Sequence, residues 1–161
     1  MYRLFFILLF LILPSIASAR DTHIDSRLEQ CLPFKDTIIE LLQSEDVSSD
    51  YFYLAVCESG CKIKSSKAGA RGFFQLMPPT FRKYKPGGCS NSDIDNIRCN
   101  TIAAARYLKH LQHRFHTLSD VIHAYNMGGH NYERRSKPTQ EAKGLSWCVQ
   151  RRIKLYNSIY K

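Results

Sequence analysis

Two kinds of hydrophobic pattern follow one another along the chain. The first is an unbroken apolar run from Leu4 to Leu13, too short to span a bilayer, which takes roughly 20 such residues. After it, apolar positions recur in steps of three and four, the helical period. Ile38, Ile39, Leu41 and Leu42 predict a helix over Thr37 to Gln43, and Pro33 suits a first turn. Ser48 or Ser49 caps a second helix that runs through Tyr51 to Val56 into Glu58, where Gly60 stops it. Lys62 to Lys67 is basic and small and reads as a loop. Pro78-Pro79-Thr80 opens a short helix carrying Phe81 and Tyr84, which ends at Pro86-Gly87-Gly88.

The clearest amphipathic helix follows. It has Ile102, Ala105, Leu108, Leu111 and Phe115 on one face and Arg106, Lys109, Gln112 and His113 on the other. Ser119 and Asp120 cap another, Val121 to Tyr125, ending at Gly128-Gly129. A last helix carries Val149, Ile153, Tyr156 and Tyr160 on one stripe. No stretch alternates convincingly with period two. The expected fold is therefore mainly α, one helical domain with at most a small hairpin.

Composition adds a compartment. Arg3, the apolar run and Ala17-Ser18-Ala19 make residues 1–19 a secretory signal peptide, with cleavage near Ala19-Arg20 and a mature domain over 20–161. No cysteine follows the small residues directly, so no lipid anchor is expected. The expected location is the periplasm or cell envelope. The formal charge is +9, and loss of Arg3 leaves +8 on about 140 residues, a balance that favours anionic partners. Export argues against nucleic acid. Six cysteines (Cys31, Cys57, Cys61, Cys89, Cys99 and Cys148) in an oxidising compartment imply three disulfides. Fifteen connectivities are open; Cys89 with Cys99 is preferred because it closes the Gly87-Gly88 loop.

Metal binding is not expected. Cys57 and Cys61 have no matching pair at finger spacing. His110, His113 and His116 step by three, which fans them around a helix by roughly 60° per step. They fit a solvated basic face.

Glu58 is the first candidate for chemistry. A carboxylate at a helix C-terminus meets the negative end of the macrodipole, and apolar flanks add to that cost. Such a group is held partly protonated, as a general acid near neutral pH requires. It is followed by Ser59, by Gly69-Ala70-Arg71-Gly72-Phe73-Phe74-Gln75-Leu76-Met77-Pro78-Pro79-Thr80, and by Ala124-Tyr125-Asn126-Met127-Gly128. Asn100, with Tyr107 and Leu108 seven residues on, adds a fourth element. Together these motifs, over about residues 50 to 130, resemble the soluble-type lytic transglycosylases, lysozyme-like muramidases that cleave peptidoglycan.

That resemblance implies a single lysozyme-like, goose-type helical domain, here stapled by disulfides. It implies Glu58 as the lone catalytic acid and base. Gln75 and the backbone near Met77 would line the sugar groove, Ser59 would accompany Glu58 in the site, and Tyr125 and Asn126 would sit by the carboxylate and the bound N-acetyl groups. No metal, nucleotide or other cofactor is implied, the expected state is a monomer, and the partner is the glycan strand. Service to a secretion or conjugation machine is left open.

Four departures stand out. Cys61 replaces a usual Phe, Phe73-Phe74 replaces Leu-Met, and the loop from Glu58 to Gly69 is about one residue short. A late acidic-Thr-x-x-Tyr motif is not recognisable: Gly144 to Val149, with Trp147 and Cys148, stands in its place. Two rivals remain, a hydrolase on the same fold recruiting Asp93 or Asp95 to position water, and a binding protein without turnover.

Overall fold

The computed structural model describes residues 25–135 and 137–159, with side chains described through 156. The signal peptide predicted over 1–19 and Tyr160 lie outside them. Eight α-helices are present among these residues: α1 Ser26–Cys31, α2 Lys35–Ser44, α3 Phe52–Glu58, α4 Pro78–Tyr84, α5 Ile97–Gln112, α6 Leu118–Met127, α7 Gly129–Arg135 and α8 Gln140–Ile159. The only sheet-like pairing among them is a pair of isolated bridges, Ser65 with Arg71 and Arg71 with Leu76. No described helix is long and apolar enough to cross a membrane.

α5 is the central element. It packs against α2, α4 and α6, while α8 lies across α6 and α3. The hydrophobic pattern gave α5 one apolar face, yet Asn100, Thr101, Ala103 and Ala104 are buried as well. Three successive alanines at 103–105 explain this, because small side chains let neighbouring helices approach from several sides. Phe115, expected on the same helix, lies beyond its end at Gln112 and still packs on the core. The core is filled by Ile38, Leu42, Phe52, Leu54, Phe74, Phe81, Leu108, Leu111 and Ile122, all fully buried. Arg106 of α5 clamps Glu45 with two hydrogen bonds of 3.0 and 2.9 Å at the end of α2.

Several boundaries differ from those expected. Thr117, not Ser119 or Asp120, caps α6: its extended backbone lets the hydroxyl accept from the Asp120 N–H at 3.1 Å, which places Ser119 and Asp120 in the first turn. Gly128, at φ 80°, does end α6, but Gly129 opens α7, a helix the pattern did not reveal. α1 was also missed, since six residues are too few to show a period. Asp25 caps it, accepting from the Arg27 N–H at 2.8 Å. Ser48 caps a single 3-10 turn, Ser49–Tyr51, that leads into α3. α8 begins well before Val149, with the Thr139 hydroxyl accepting from Ala142 N–H at 3.2 Å.

The preferred disulfide, Cys89–Cys99, is present. The other two are Cys31–Cys61, which ties α1 to the turn after α3, and Cys57–Cys148, which ties α3 to α8. No cysteine is free. Thiol titration of the denatured, unreduced protein is therefore expected to find no reactive cysteine, and two or more would contradict this pairing.

Candidate active site

Glu58 is the last residue of α3, a helix whose preceding six residues are all buried. The chain must turn sharply there, and it does so with two successive left-handed residues, Gly60 at φ 63° and Cys61 at φ 55°. Cys61 holds this disfavoured conformation while bonded to Cys31. Arg27 donates to the Cys57 carbonyl at 3.1 Å, satisfying one of the orphan acceptors at the helix end. Glu58 is left partly buried at the mouth of this turn.

Facing it is the turn 72–75, closed by reciprocal backbone bonds of 2.9 Å between Arg71 and Leu76. Side chains from three helices hold this turn. Asn100, fully buried on α5, accepts from Phe74 N–H at 2.9 Å and donates to the Ile94 carbonyl at 2.8 Å. The Tyr125 hydroxyl on α6 donates to the Phe74 carbonyl at 2.8 Å. The Ser59 hydroxyl, just past α3, donates to the Phe73 carbonyl at 2.7 Å. A side chain on Gly72 would bring its Cβ within 2.4 Å of the Asn100 amide and 2.6 Å of the Ile94 carbonyl, so only glycine fits. The four motif residues Ser59, Gly72, Asn100 and Tyr125 thus serve one purpose, fixing the turn beside the carboxylate.

This refines the roles expected for individual residues. Ser59 is buried and bonded inward, a positioning residue with no open face for ligand. Gln75, at φ 47°, directs its amide N–H groups to the carbonyls of Lys64 and Gly72 at 3.0 and 2.9 Å, and so joins the basic loop to the turn. Met77 is 43% exposed where α4 begins, free to line a groove. Asn126 is half-buried, next to Tyr125 on α6.

Electrostatics single out Glu58. Burial pushes its carboxyl up from the ordinary 4.5 to about 7; the negative charge of Glu141 adds to the rise, and Lys64 opposes it. Burial, and after it the charge of Glu58, hold the Tyr125 phenol well above its usual range, which places the two groups within electrostatic reach.

Glu141 and Lys64 were not legible as site residues. The geometry explains Glu141. Tyr53 packs its ring 5.8 Å from that of Tyr156, and Cys57 is bonded to Cys148, so α3 and α8 run antiparallel. The first turns of α8 therefore extend past the end of α3, and Glu141 lies two turns before Cys148 on the same stripe. Where the late aromatic motif was expected, Cys148 is the residue that reaches the site, bonded to the neighbour of Glu58.

Asp93 and Asp95, the carboxylates a hydrolase was expected to recruit, are engaged elsewhere. Asp93 accepts from the N–H and hydroxyl of Ser90 at 2.6 and 2.8 Å, and Asp95 pairs with Arg71. Neither is among the charges that act on Glu58.

No curated protein matches the chain. The family model described as the transglycosylase SLT domain matches residues 36–147, a span that holds Glu58, the 72–75 turn, Asn100, Tyr125 and Glu141. That match covers well over half of the chain, which therefore belongs to the transglycosylase SLT domain family, whose members cleave peptidoglycan.

Proposed function

We propose that this chain is an exported lytic transglycosylase that cuts the bond between N-acetylmuramic acid and N-acetylglucosamine with Glu58 as sole acid and base, leaving 1,6-anhydro ends. The observation that carries the reading is a carboxyl raised to about 7, beside a turn that three helices hold in place. Protonated Glu58 gives its proton to the glycosidic oxygen as the bond from the muramic anomeric carbon breaks. The N-acetyl group stabilises the cation-like centre. The carboxylate then takes the proton from the 6-hydroxyl of the same sugar, whose oxygen closes on the anomeric carbon. No water is consumed, and Glu58 ends protonated as it began. Most glycosidases use two carboxyls; here the two loop aspartates are held by Ser90 and Arg71.

Digestion of purified sacculi tests the reading, with products weighed by mass spectrometry. Anhydro ends are expected. Reducing ends, heavier by one water, would instead establish a hydrolase.

The pH profile carries a second test. Glu58 must enter the reaction protonated, so activity falls as pH rises through about 7. Glu141→Gln removes the neighbouring charge that favours the proton. The Glu58 pKa then drops, and the alkaline limb is expected to move to lower pH by less than about one unit, as suits an exposed partner. Activity at acid pH should be unchanged. A profile that stays in place would show that Glu141 does not act on Glu58.

A further inference from the structure

Trp147 is the chain's only tryptophan, and it is 61% exposed. It sits on α8 more than a quarter of a turn around the helix from Cys148, the nearest residue of the Glu141, Leu145 and Cys148 stripe that faces α3, and so outside the site of Glu58. The Arg151 guanidinium lies 5.1 Å from the centre of its ring. Lys143, Trp147, Arg151 and Lys154 recur at helical spacing along one edge of a groove of about 720 Å³ between α6 and α8, with Leu118 and Ile153 among its apolar lining. That volume is within the range of ligand clefts. No acidic residue lines it.

Arg151 covers one face of the ring, and Lys143 and Lys154 stand along the same edge of the groove, so a ring and three cations are presented together. Among the described residues no carboxylate lines the groove to pair with those cations. A ligand that satisfies both features has a flat apolar face and carboxylates beside it. An aminosugar ring offers its axial C–H face to an indole, and a muramyl lactyl group with its stem peptide adds several carboxylates per repeat.

We propose that this groove is a second glycan-binding site. In it Trp147 stacks on a sugar ring of the peptidoglycan strand and Lys143, Arg151 and Lys154 pair with its carboxylates. The inference rests on the substrate reading above and adds a site to it. Its effect is to hold the enzyme on one strand while Glu58 works at the cleft, raising the effective concentration of substrate.

The test uses the Glu58→Gln protein, so that ligand is not consumed, and follows tryptophan fluorescence, which has a single source. Titration with soluble muropeptide chains of at least two disaccharide units, stem carboxylates intact, should give a saturable change. Arg151→Ala with Lys154→Ala should weaken it about tenfold, as expected for losing charge pairs and a ring contact. Neutral chito-oligosaccharides of equal length should bind more weakly, and added salt should weaken the charged ligand alone. In active enzyme, Trp147→Ala should slow digestion of insoluble sacculi while leaving cleavage of short soluble fragments unchanged. Calorimetry that detects the muropeptide with no change in fluorescence would overturn the second site and leave the proposed function standing. Absence of binding by both methods would overturn the substrate reading itself. A fluorescence change given by phosphatidylglycerol vesicles and not by muropeptides, or one that depends on protein concentration alone, would overturn the proposal in favour of a membrane or a second copy.

Discussion

Glu58→Gln is expected to abolish release of muropeptides from sacculi and, at the same time, to make the protein more stable above neutral pH. Acid and base steps contribute roughly 100-fold to 10,000-fold each. In the proposed mechanism Glu58 supplies both, and neither Asp93 nor Asp95 acts on it, so a loss of at least about 100-fold is expected. Stability should change in the opposite direction. The folded pKa is about 7 against an ordinary 4.5, so between these values the folded state binds a proton that the unfolded chain does not. Wild-type stability therefore falls as pH rises through that window, and the full cost is present above 7. Gln does not ionise, so the variant should match wild type below pH 4 and exceed it by up to about 3 kcal/mol at pH 8. Thermal melts at the two pH values, with product assays, check both halves. A folded Gln variant that keeps most of its activity would remove Glu58 from the chemistry.

Loss of the Cys57–Cys148 bond is expected to have the largest effect on stability. It closes a loop of 91 residues, against 10 for Cys89–Cys99. By chain entropy the long bridge contributes about 4–5 kcal/mol and the short one about 3, while a domain of this size has about 5–15 kcal/mol in all. The paired Cys57→Ala and Cys148→Ala variant should melt well below the Cys89→Ala and Cys99→Ala pair. It should also lose activity before it unfolds, because the bond fixes α8, and with it Glu141, beside the end of α3. Equal melting of the two variants would show that the long bridge is incidental.

How far the site was readable depended on whether each cause was local. Glu58 stands out as a candidate because its signal, an acid closing an apolar helix before a glycine, lies within a few residues. Cys89 with Cys99 could be paired because a short loop joins them. The antiparallel packing of α3 on α8 is not a local property. It is what unites Cys57 with Cys148 and brings Glu141 to Glu58, and neither consequence has any mark in the spacing of residues. Ser59 and Tyr125 are named by the sequence as candidate ligand contacts, and in the fold their hydroxyls turn to the backbone. Hydroxyls near a carboxylate suggest contact with ligand, and only the positions of the Phe73 and Phe74 carbonyls reveal that both donate to backbone. α7 was hidden for another reason: the glycine pair that ends α6 reads as one break, yet Gly129 is buried against Arg114 and Leu111 and starts a new helix.

The bonding of the 72–75 turn bears on how firmly each part of the site is held. The Phe74 amide is bonded to Asn100, a side chain with no exposure of its own, so it can exchange its hydrogen with solvent only when α5 separates from the turn, an event close to global unfolding. Beside it, residues 62–68 are exposed and joined to the turn by the Gln75 amide and the Ser65–Arg71 bridge. Amides there should exchange many times faster. The turn beside the carboxylate is thus the fixed side of the site and the lysine loop the yielding one.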